Sequence, residues 1–164
     1  MIDLKNMLPG YSSQQLVAMA GVQTIPEDAS TTRVDVGIPI LREEQLIDVG
    51  FLVLNAPTTG SFTVSFGVAA LGATLSAGGA ETDQAVVANK TIDFDDSVAD
   101  GTLYRVSDGS LSWTTVTTRR NTEDERRIAR GERVFCCIVD ADQAGATIVP
   151  FCIMRPNESL DPIA

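Results

Sequence analysis

Four aspartates between positions 93 and 100 are the densest group of side chains in the sequence that could do chemistry. Hard cations such as Ca²⁺ prefer clustered oxygen ligands, so a bound cation is one hypothesis for this stretch. The spacing differs from that of an EF-hand loop, which has a glycine at its sixth position and a glutamate at its end. We therefore favour a solvated acidic turn and expect no cofactor. The candidate ligands are Asp93, Asp95, Asp96 and Asp100.

The sequence contains no histidine, which excludes a Ser-His-Asp or Cys-His apparatus within the chain and disfavours a typical zinc site. Enzymes that use paired carboxylates need no histidine, so this absence lowers the expectation of catalysis without excluding it. Cys136 and Cys137 are adjacent and Cys152 is distant, which is not the spacing of a disulfide framework. We expect the three thiols to fill a core as small hydrophobes, and we expect no enzymatic activity.

Charge narrows the possible partners. A net charge of −10 argues against non-specific nucleic-acid binding and against adhesion to anionic membranes. One segment, from Arg119 to Arg133, reverses this balance because it holds six arginines and four acids. Arginine is prominent in protein interfaces, so this segment is a candidate contact surface. A solvated helix with its own ion pairs is the alternative. The candidate contact residues are Arg119, Arg120, Arg126, Arg127 and Arg130.

Residues 1–32 differ in texture from the rest and are interpreted as an extended N-terminal arm. Within the arm, residues 13–20 could form a short helix that begins at a serine. The apolar residues Leu4, Met7 and Leu8 could pack on the arm's own domain or drape over a neighbouring subunit. The second arrangement is slightly favoured. No signal peptide or membrane span is recognised, so we expect synthesis in a host cytoplasm.

From residue 33 to residue 156 the pattern is that of an all-β domain, followed by an irregular tail over residues 157–164. Val34, Val36 and Ile38 alternate with polar residues, and Pro39 restricts that strand to an edge or to its end. Further strands are predicted over residues 46–54, 61–67, 90–94, 103–106, 111–117, 134–139 and 146–154. Two hairpins are predicted among these ranges, one of 46–54 with 61–67 and one of 103–106 with 111–117. Short helical turns are expected over residues 82–89 and 123–130.

About eight short strands separated by Gly, Asp and Asn turns predict an antiparallel β-sandwich, a jelly roll or a small barrel. The segments Asp48–Leu54, Gly60–Gly67 and Thr82–Ala88 resemble those of small β-sandwich virion proteins of tailed bacteriophages. Capsid decoration (cement) proteins are the most similar of that group. The resemblance extends over the core domain and depends on the general residue pattern instead of a defining motif. It assigns a role to no individual residue.

This resemblance implies a structural protein on the outside of a phage capsid, stabilising it by bridging subunits of the major capsid protein. It also implies a homo-oligomer, with a trimer favoured and a dimer possible. The arm would anchor the protein, so removal of residues 1–20 is expected to abolish particle binding while the domain stays folded. Two alternatives remain: another virion part, such as a head–tail, tail or fibre component, and a carbohydrate-binding jelly roll. The carbohydrate-binding alternative would need an aromatic platform, and Trp113 and Tyr104 are its two candidate residues.

Overall fold

A computed structural model describes residues 16–25, 31–36, 44–70, 85–96, 98–113, 126–139 and 145–156. These residues form two antiparallel β-sheets with one turn of 3-10 helix at Phe94–Asp96 and no α-helix in the described ranges. The prediction of an all-β sandwich is confirmed.

Among the described residues, sheet A contains two long strands and four short ones. Its main path runs β1–β10–β4–β7, with β2 added to β10 and β8 added to β4. All pairs are antiparallel. The strands are β1 (Leu16–Met19), β2 (Gln23–Thr24), β4 (Glu44–Asn55), β7 (Leu103–Arg105), β8 (Arg127–Ile128) and β10 (Thr147–Pro156).

Sheet B runs β3–β9–β5–β6 and is also antiparallel throughout. Its strands are β3 (Thr31–Val36), β5 (Ser61–Ala70), β6 (Ala85–Asp93) and β9 (Glu132–Val139). The predicted restriction of the first β segment to an edge is confirmed, because β3 pairs with β9 on one side and forms the end of the sheet path.

The order of strands is that of a jelly roll. Apart from the short β2 and β8, eight strands divide into two sheets of four, and most consecutive strands lie in opposite sheets. Strands far apart in sequence become neighbours, as in β1 beside β10 and β3 beside β9. This two-sheet, Greek-key arrangement distinguishes a jelly roll from a meander or a small barrel.

Aromatic rings hold the two sheets together. Phe51 of β4 faces Phe62 of β5 across the sandwich, with ring centroids 6.0 Å apart. Tyr104 stacks on Phe51 at 5.0 Å, and Phe94 lies 5.6 Å from Phe62. Burying each phenylalanine contributes roughly 1.5–3 kcal/mol of transfer free energy. The positions of β4 and β5 therefore depend on the contacts that their inward-facing residues make in the core.

The predicted hairpin of residues 46–54 with 61–67 is wrong, whereas of the strand 111–117 in the second predicted hairpin only residues 111–113 are described. β4 and β5 lie in different sheets, and the connection between them crosses the sandwich with Gly60 at φ 91°. Sheets pack about 10 Å apart, a distance that a few extended residues span easily. After the turn that follows β7, Trp113 bridges Val87 of sheet B instead of pairing with β7. Alternation shows that a strand has a buried face, but it does not choose the strand's neighbour.

The helical predictions over residues 13–20 and 82–89 are wrong where those residues are described, because residues 16–19 form β1 and residues 85–89 belong to β6. Of the predicted helical turn over residues 123–130, Arg126 has 3-10 conformation and Arg127–Ile128 form β8. In β6, the consecutive Val86 and Val87 are both buried because the pairing with β5 is irregular at this point. Such adjacent apolar residues imitate a helical pattern. Short isolated helices are marginal in water, so pairing with an existing sheet decides the outcome.

Part of the predicted arm belongs to sheet A. Residues 16–19 and 23–24 pair with β10 of the same chain, and β3 begins at Thr31. A boundary at residue 32 therefore does not coincide with an element boundary. Leu4, Met7 and Leu8, like the tail over residues 157–164, lie outside the described residues.

Candidate interaction surface

The outer face of sheet A carries many apolar side chains, several of which are exposed to solvent. Because side chains alternate across a strand, the residues that do not point into the core form this face. Val17 and Met19 are 55% and 60% exposed, and Leu54 and Leu103 are each 41% exposed. Exposed apolar patches of this kind on a folded domain mark interaction sites. The face is built from Val17, Met19, Leu52, Leu54, Leu103, Val149, Phe151 and Ile153.

Cross-strand pairing makes these side chains contiguous. Val17 stands opposite Ile153, and Met19 stands opposite Phe151. On the other side of β10, Val149 stands opposite Leu52. Side chains directly opposite each other on one face lie about 4.5–5.5 Å apart at Cβ. The apolar residues therefore form a continuous surface from the β1 edge towards β7.

Phe151 can cover the centre of this face because its neighbour on β4 is Gly50. A Cβ atom at Gly50 would lie 2.7 Å from the Phe151 ring and 2.9 Å from Arg105 Cβ, and it would also overlap the Tyr104 carbonyl oxygen. Only glycine permits this close approach. The half-buried ring of Phe151 therefore lies flat against the sheet.

An ion pair interrupts the apolar surface beside β7. The Asp48 carboxylate, almost wholly buried, lies 2.8 Å from Arg105 Nη2 and accepts a hydrogen bond from Arg105 Nε at 2.9 Å. It also accepts hydrogen bonds from the backbone N–H groups of Val49 and Ser107. This pair anchors the turn that follows β7. Its carboxylate is fully engaged within the chain and is not available to a ligand.

Polar residues border one end of the face. Arg155 Nε donates a hydrogen bond to Gln45 Oε1 at 2.7 Å, in the pair that follows the bulge between β4 and β10. An apolar centre with a polar rim is the usual composition of a protein interface.

The candidate arginines are distributed differently. Arg126 is half-buried, and its guanidinium carbon lies 4.6 Å from the centre of the Trp113 ring, a cation–π contact. Arg127 and Arg130 are exposed. Arg126 therefore packs within the fold, and Arg127 and Arg130 are the described candidate arginines whose side chains are exposed. Arg119 and Arg120 lie outside the described residues.

The candidate cation ligands serve the chain's own backbone. Asp93 Oδ1 accepts a hydrogen bond from Asp95 N at 3.0 Å, and Asp100 Oδ1 accepts one from Ala56 N at 2.7 Å. The position of the Asp96 side chain is not described. Within the described part of the chain, no three His, Cys, Asp or Glu side chains are grouped to hold a metal ion. The cation site stays a prediction without geometric support.

All three cysteines are buried and unpaired by disulfides. Cys136 faces the core, whereas Cys137 faces the outer side of sheet B and is nevertheless fully buried. Desolvation by burial raises the pKa of the Cys136 thiol, with a further increase from Cys137, and raises the pKa of Cys152 to about 12. The thiols of Cys136 and Cys152 are therefore protonated at neutral pH, which makes them poor nucleophiles and poor metal ligands.

The aromatic residues of the described ranges do not form a sugar-binding platform. Tyr104 stacks on Phe51, and Trp113 packs against the core with Arg126 over its ring. Of the aromatic side chains on the outer face of sheet A, Phe151 lies flat over Gly50. The carbohydrate-binding alternative gains no support from these positions.

The sequence did not predict the outer face of sheet A or the pair Asp48–Arg105. Two signals were present. Asp48 is the one charged residue within the β-like stretch 46–54, and residues 6–25 contain no charged residue in a chain of net charge −10.

A scan of the chain against protein-family models and a search of curated proteins find no match. Among the described residues, no helix is long and apolar enough to cross a membrane.

Proposed function

We propose that this protein is a structural component of a phage virion that binds the outside of the capsid and stabilises it by bridging major capsid protein subunits. The observation that carries the proposal is the apolar outer face of sheet A, which a protein partner would cover. The jelly-roll connectivity supports it, because viral capsid proteins are among the proteins built on this fold. The sequence resemblance to decoration proteins supports it independently.

The mechanism is additive. An interface of standard size buries roughly 1,200–2,000 Å² in total, and apolar burial contributes about 25 cal/mol per Å² before the costs of association. A copy that bridges two capsid subunits gains avidity, because its second contact is effectively intramolecular. Repetition over the capsid lattice would hold neighbouring subunits together without one exceptionally strong contact.

Charge would limit where the protein binds. Its net charge of −10 favours a capsid surface that is neutral or basic at the contact. Arg127 and Arg130, which are exposed beside the start of β9, could pair with acidic groups of the capsid protein at the rim of the contact. Rim charges mainly change association rates and salt dependence.

The N-terminal residues are the second proposed contact, with Leu4, Met7 and Leu8 as anchors. The structure changes the deletion that tests this. Removal of residues 1–20 would also remove β1 and uncover the edge of β10. Removal of residues 1–15 leaves every described strand in place. This shorter deletion is expected to weaken particle binding and to leave the circular dichroism spectrum and unfolding midpoint unchanged.

The decisive experiment is co-sedimentation of the purified protein with undecorated heads of the phage that encodes it. We expect saturable binding at a copy number comparable to that of the major capsid protein, and heads that resist heat or chelation better when bound. Binding at one ring or one vertex would indicate a head–tail, tail or fibre component. No binding to heads, by a protein shown to be folded, would overturn the proposal.

A further inference from the structure

Among the described strands, β1 lies at an edge of sheet A. On the inner side β1 pairs with β10, and within the described ranges no strand lies on its other side. Ala20 N donates to Pro150 O at 2.9 Å in the continuation of this pairing. In an antiparallel ladder, alternate residues direct their backbone groups to the same neighbour. Ala18 therefore bonds to β10, and the N–H and C=O groups of Val17 and Met19 face outward.

This edge is short, at four residues, but it carries no charged residue or proline that would oppose pairing with another chain. Natural edge strands carry lysine, proline, bulges or inward-pointing charges, which prevent association with other chains. β1 reads Leu16-Val17-Ala18-Met19 and has none of these. Its outward side chains, Val17 and Met19, are both more than half exposed. A partner that adds a strand here would satisfy the backbone groups and cover the apolar side chains together.

The absence of charge along this edge favours a second copy of the chain as the partner. Residues 16–25 and 147–154, which form this edge and the strand behind it, contain no charged residue. Two copies of a chain with net charge −10 repel each other, and this repulsion opposes contact least at an edge that carries no charge. The edge is also complementary to itself, because an antiparallel strand pairs with its own copy about a twofold axis.

We propose that two copies of this chain associate through β1, forming one continuous antiparallel sheet across a twofold axis. The axis passes beside Ala18, so that Val17 of each copy stands opposite Met19 of the other. This register is the one that directs the outward backbone groups of both residues at each other. The side chains of Val17 and Met19 then lie on one face with Phe151 and Ile153 of both copies.

This inference goes beyond the proposed function and does not rest on it. A twofold β1 contact produces a dimer, in place of the trimer that the resemblance implies. The dimer forms or fails to form in solution whether or not phage heads are bound by the protein.

The first test measures the mass of the full chain by sedimentation velocity over a range of concentrations. The variant Met19→Pro removes an N–H that faces away from β10, and an edge strand tolerates proline at such a position. We expect the parent chain to be a dimer and Met19→Pro to raise its dissociation constant roughly hundredfold, because one bond is lost in each half of the interface.

Two controls separate the edge from the fold. Met19→Ala keeps the N–H and removes the side chain, so its effect is expected to be smaller than that of Met19→Pro. Leu103→Lys places a charge on the same face but on β7, three strands from the axis, and should leave the dimer intact. Circular dichroism of Met19→Pro must match that of the parent chain; if it does not, Val17→Lys replaces it as the variant that blocks the edge.

The second test fixes the register. A mixture of Val17→Cys chains with Met19→Cys chains should form an interchain disulfide on mild oxidation, because opposed residues lie within the Cα separation that a disulfide requires. Val17→Cys alone should not, since two copies of residue 17 are offset along the strand. The native cysteines are buried and give little background.

If the parent chain is monomeric at every concentration, the inference is overturned, and the edge would then be a site for a strand of another protein. A dimer that persists in both Met19→Pro and Val17→Lys would overturn it as well. Cross-linking of Val17→Cys with itself, without the mixed product, would overturn the register.

Discussion

The outer faces of the two sheets differ in how far their side chains are exposed to solvent. On sheet B, the outward-facing Phe135 and Cys137 are fully buried, and Ser65 and Ala69 are 2% and 3% exposed. On sheet A, Val17 and Met19 are mostly exposed, and Phe151 is half-buried. Both faces carry apolar side chains. Sheet B therefore contributes its outer face to the stability of the chain, whereas sheet A presents part of its face to the surroundings.

This difference indicates that residues that stabilise the jelly roll and residues that bind a partner lie on different faces. An apolar residue buried within its own chain is retained because its loss unfolds the protein. An exposed apolar residue adds no comparable stability to its own chain. Contact with a partner is the physical reason for its presence. Substitutions on the two faces should therefore differ first in stability and then in association.

The largest contrast is expected between two phenylalanines on the two outer faces. Phe135→Ala removes a fully buried ring and should lower the free energy of unfolding by about 3–5 kcal/mol. Phe151→Ala removes a half-buried ring and should lower it by roughly half as much. Urea denaturation, at a concentration where the chain is monomeric, measures both. Equal losses would show that the outer face of sheet A is as buried in solution as that of sheet B.

The charged pair on sheet A provides the next test. Asp48→Ala leaves Arg105 without its partner and removes the acceptor for Val49 N and Ser107 N. Because Arg105 is 34% exposed and can be partly hydrated, we expect a loss of about 2–3 kcal/mol instead of the full cost of an isolated buried charge.

Gln45→Ala is the control for Asp48→Ala, because it removes a polar partner at the rim of the same face, hydrogen-bonded to Arg155. Its cost is expected to stay below about 1 kcal/mol. If the two variants lose the same stability, Asp48 does not anchor the turn after β7.

The buried thiols make stability depend on pH on the alkaline side. Burial raises the pKa of Cys152 to about 12 and raises that of Cys136, from an ordinary value of 9.0. The unfolded chain therefore loses these protons at lower pH than the folded chain does. The contribution is fully present below pH 9 and is lost as pH rises towards 12, by about 1 kcal/mol per thiol at pH 10.

Urea midpoints between pH 8 and 10.5 measure this loss, and Cys152→Ala is the matched variant with a smaller slope. A thiol reagent at pH 8 should modify the folded chain far more slowly than the urea-unfolded chain. Rapid modification of the folded protein would contradict the burial of Cys137 on the outer face of sheet B.

The sequence predicts the composition of the sheets better than their arrangement. The stretches around Phe51, Phe62 and Ile148 show their β character locally, through β-branched and aromatic residues, and the structure confirms them as strands. The pairing of β1 with β10 depends on residues more than 130 positions apart, and no local pattern specifies it. For the same reason the hairpin of β4 with β5 was a natural prediction and a wrong one.

Exposure is the second property that local pattern does not specify. The runs Val134–Ile138 and Leu16–Met19 are both continuous apolar stretches, typical of strands buried on two sides. Only the first is buried on both sides. What lies over a sheet depends on where the rest of the chain is placed, so the outer face of sheet A could be found only from the structure.

The smallest expected effect is also the sharpest separation of the two faces. Met19→Lys places a charge on a side chain that is 60% exposed, and in dilute solution it should change the free energy of unfolding by no more than about 0.5 kcal/mol. At concentrations where the parent chain is dimeric, the parent gains stability through association and the variant does not, so their unfolding midpoints should diverge as concentration rises. A loss in dilute solution comparable to that of Phe135→Ala would mean that Met19 is covered within its own chain, and the two sheets would then not differ in the way described above. A small loss that grows with concentration requires instead that the cover over Met19 comes from a second copy.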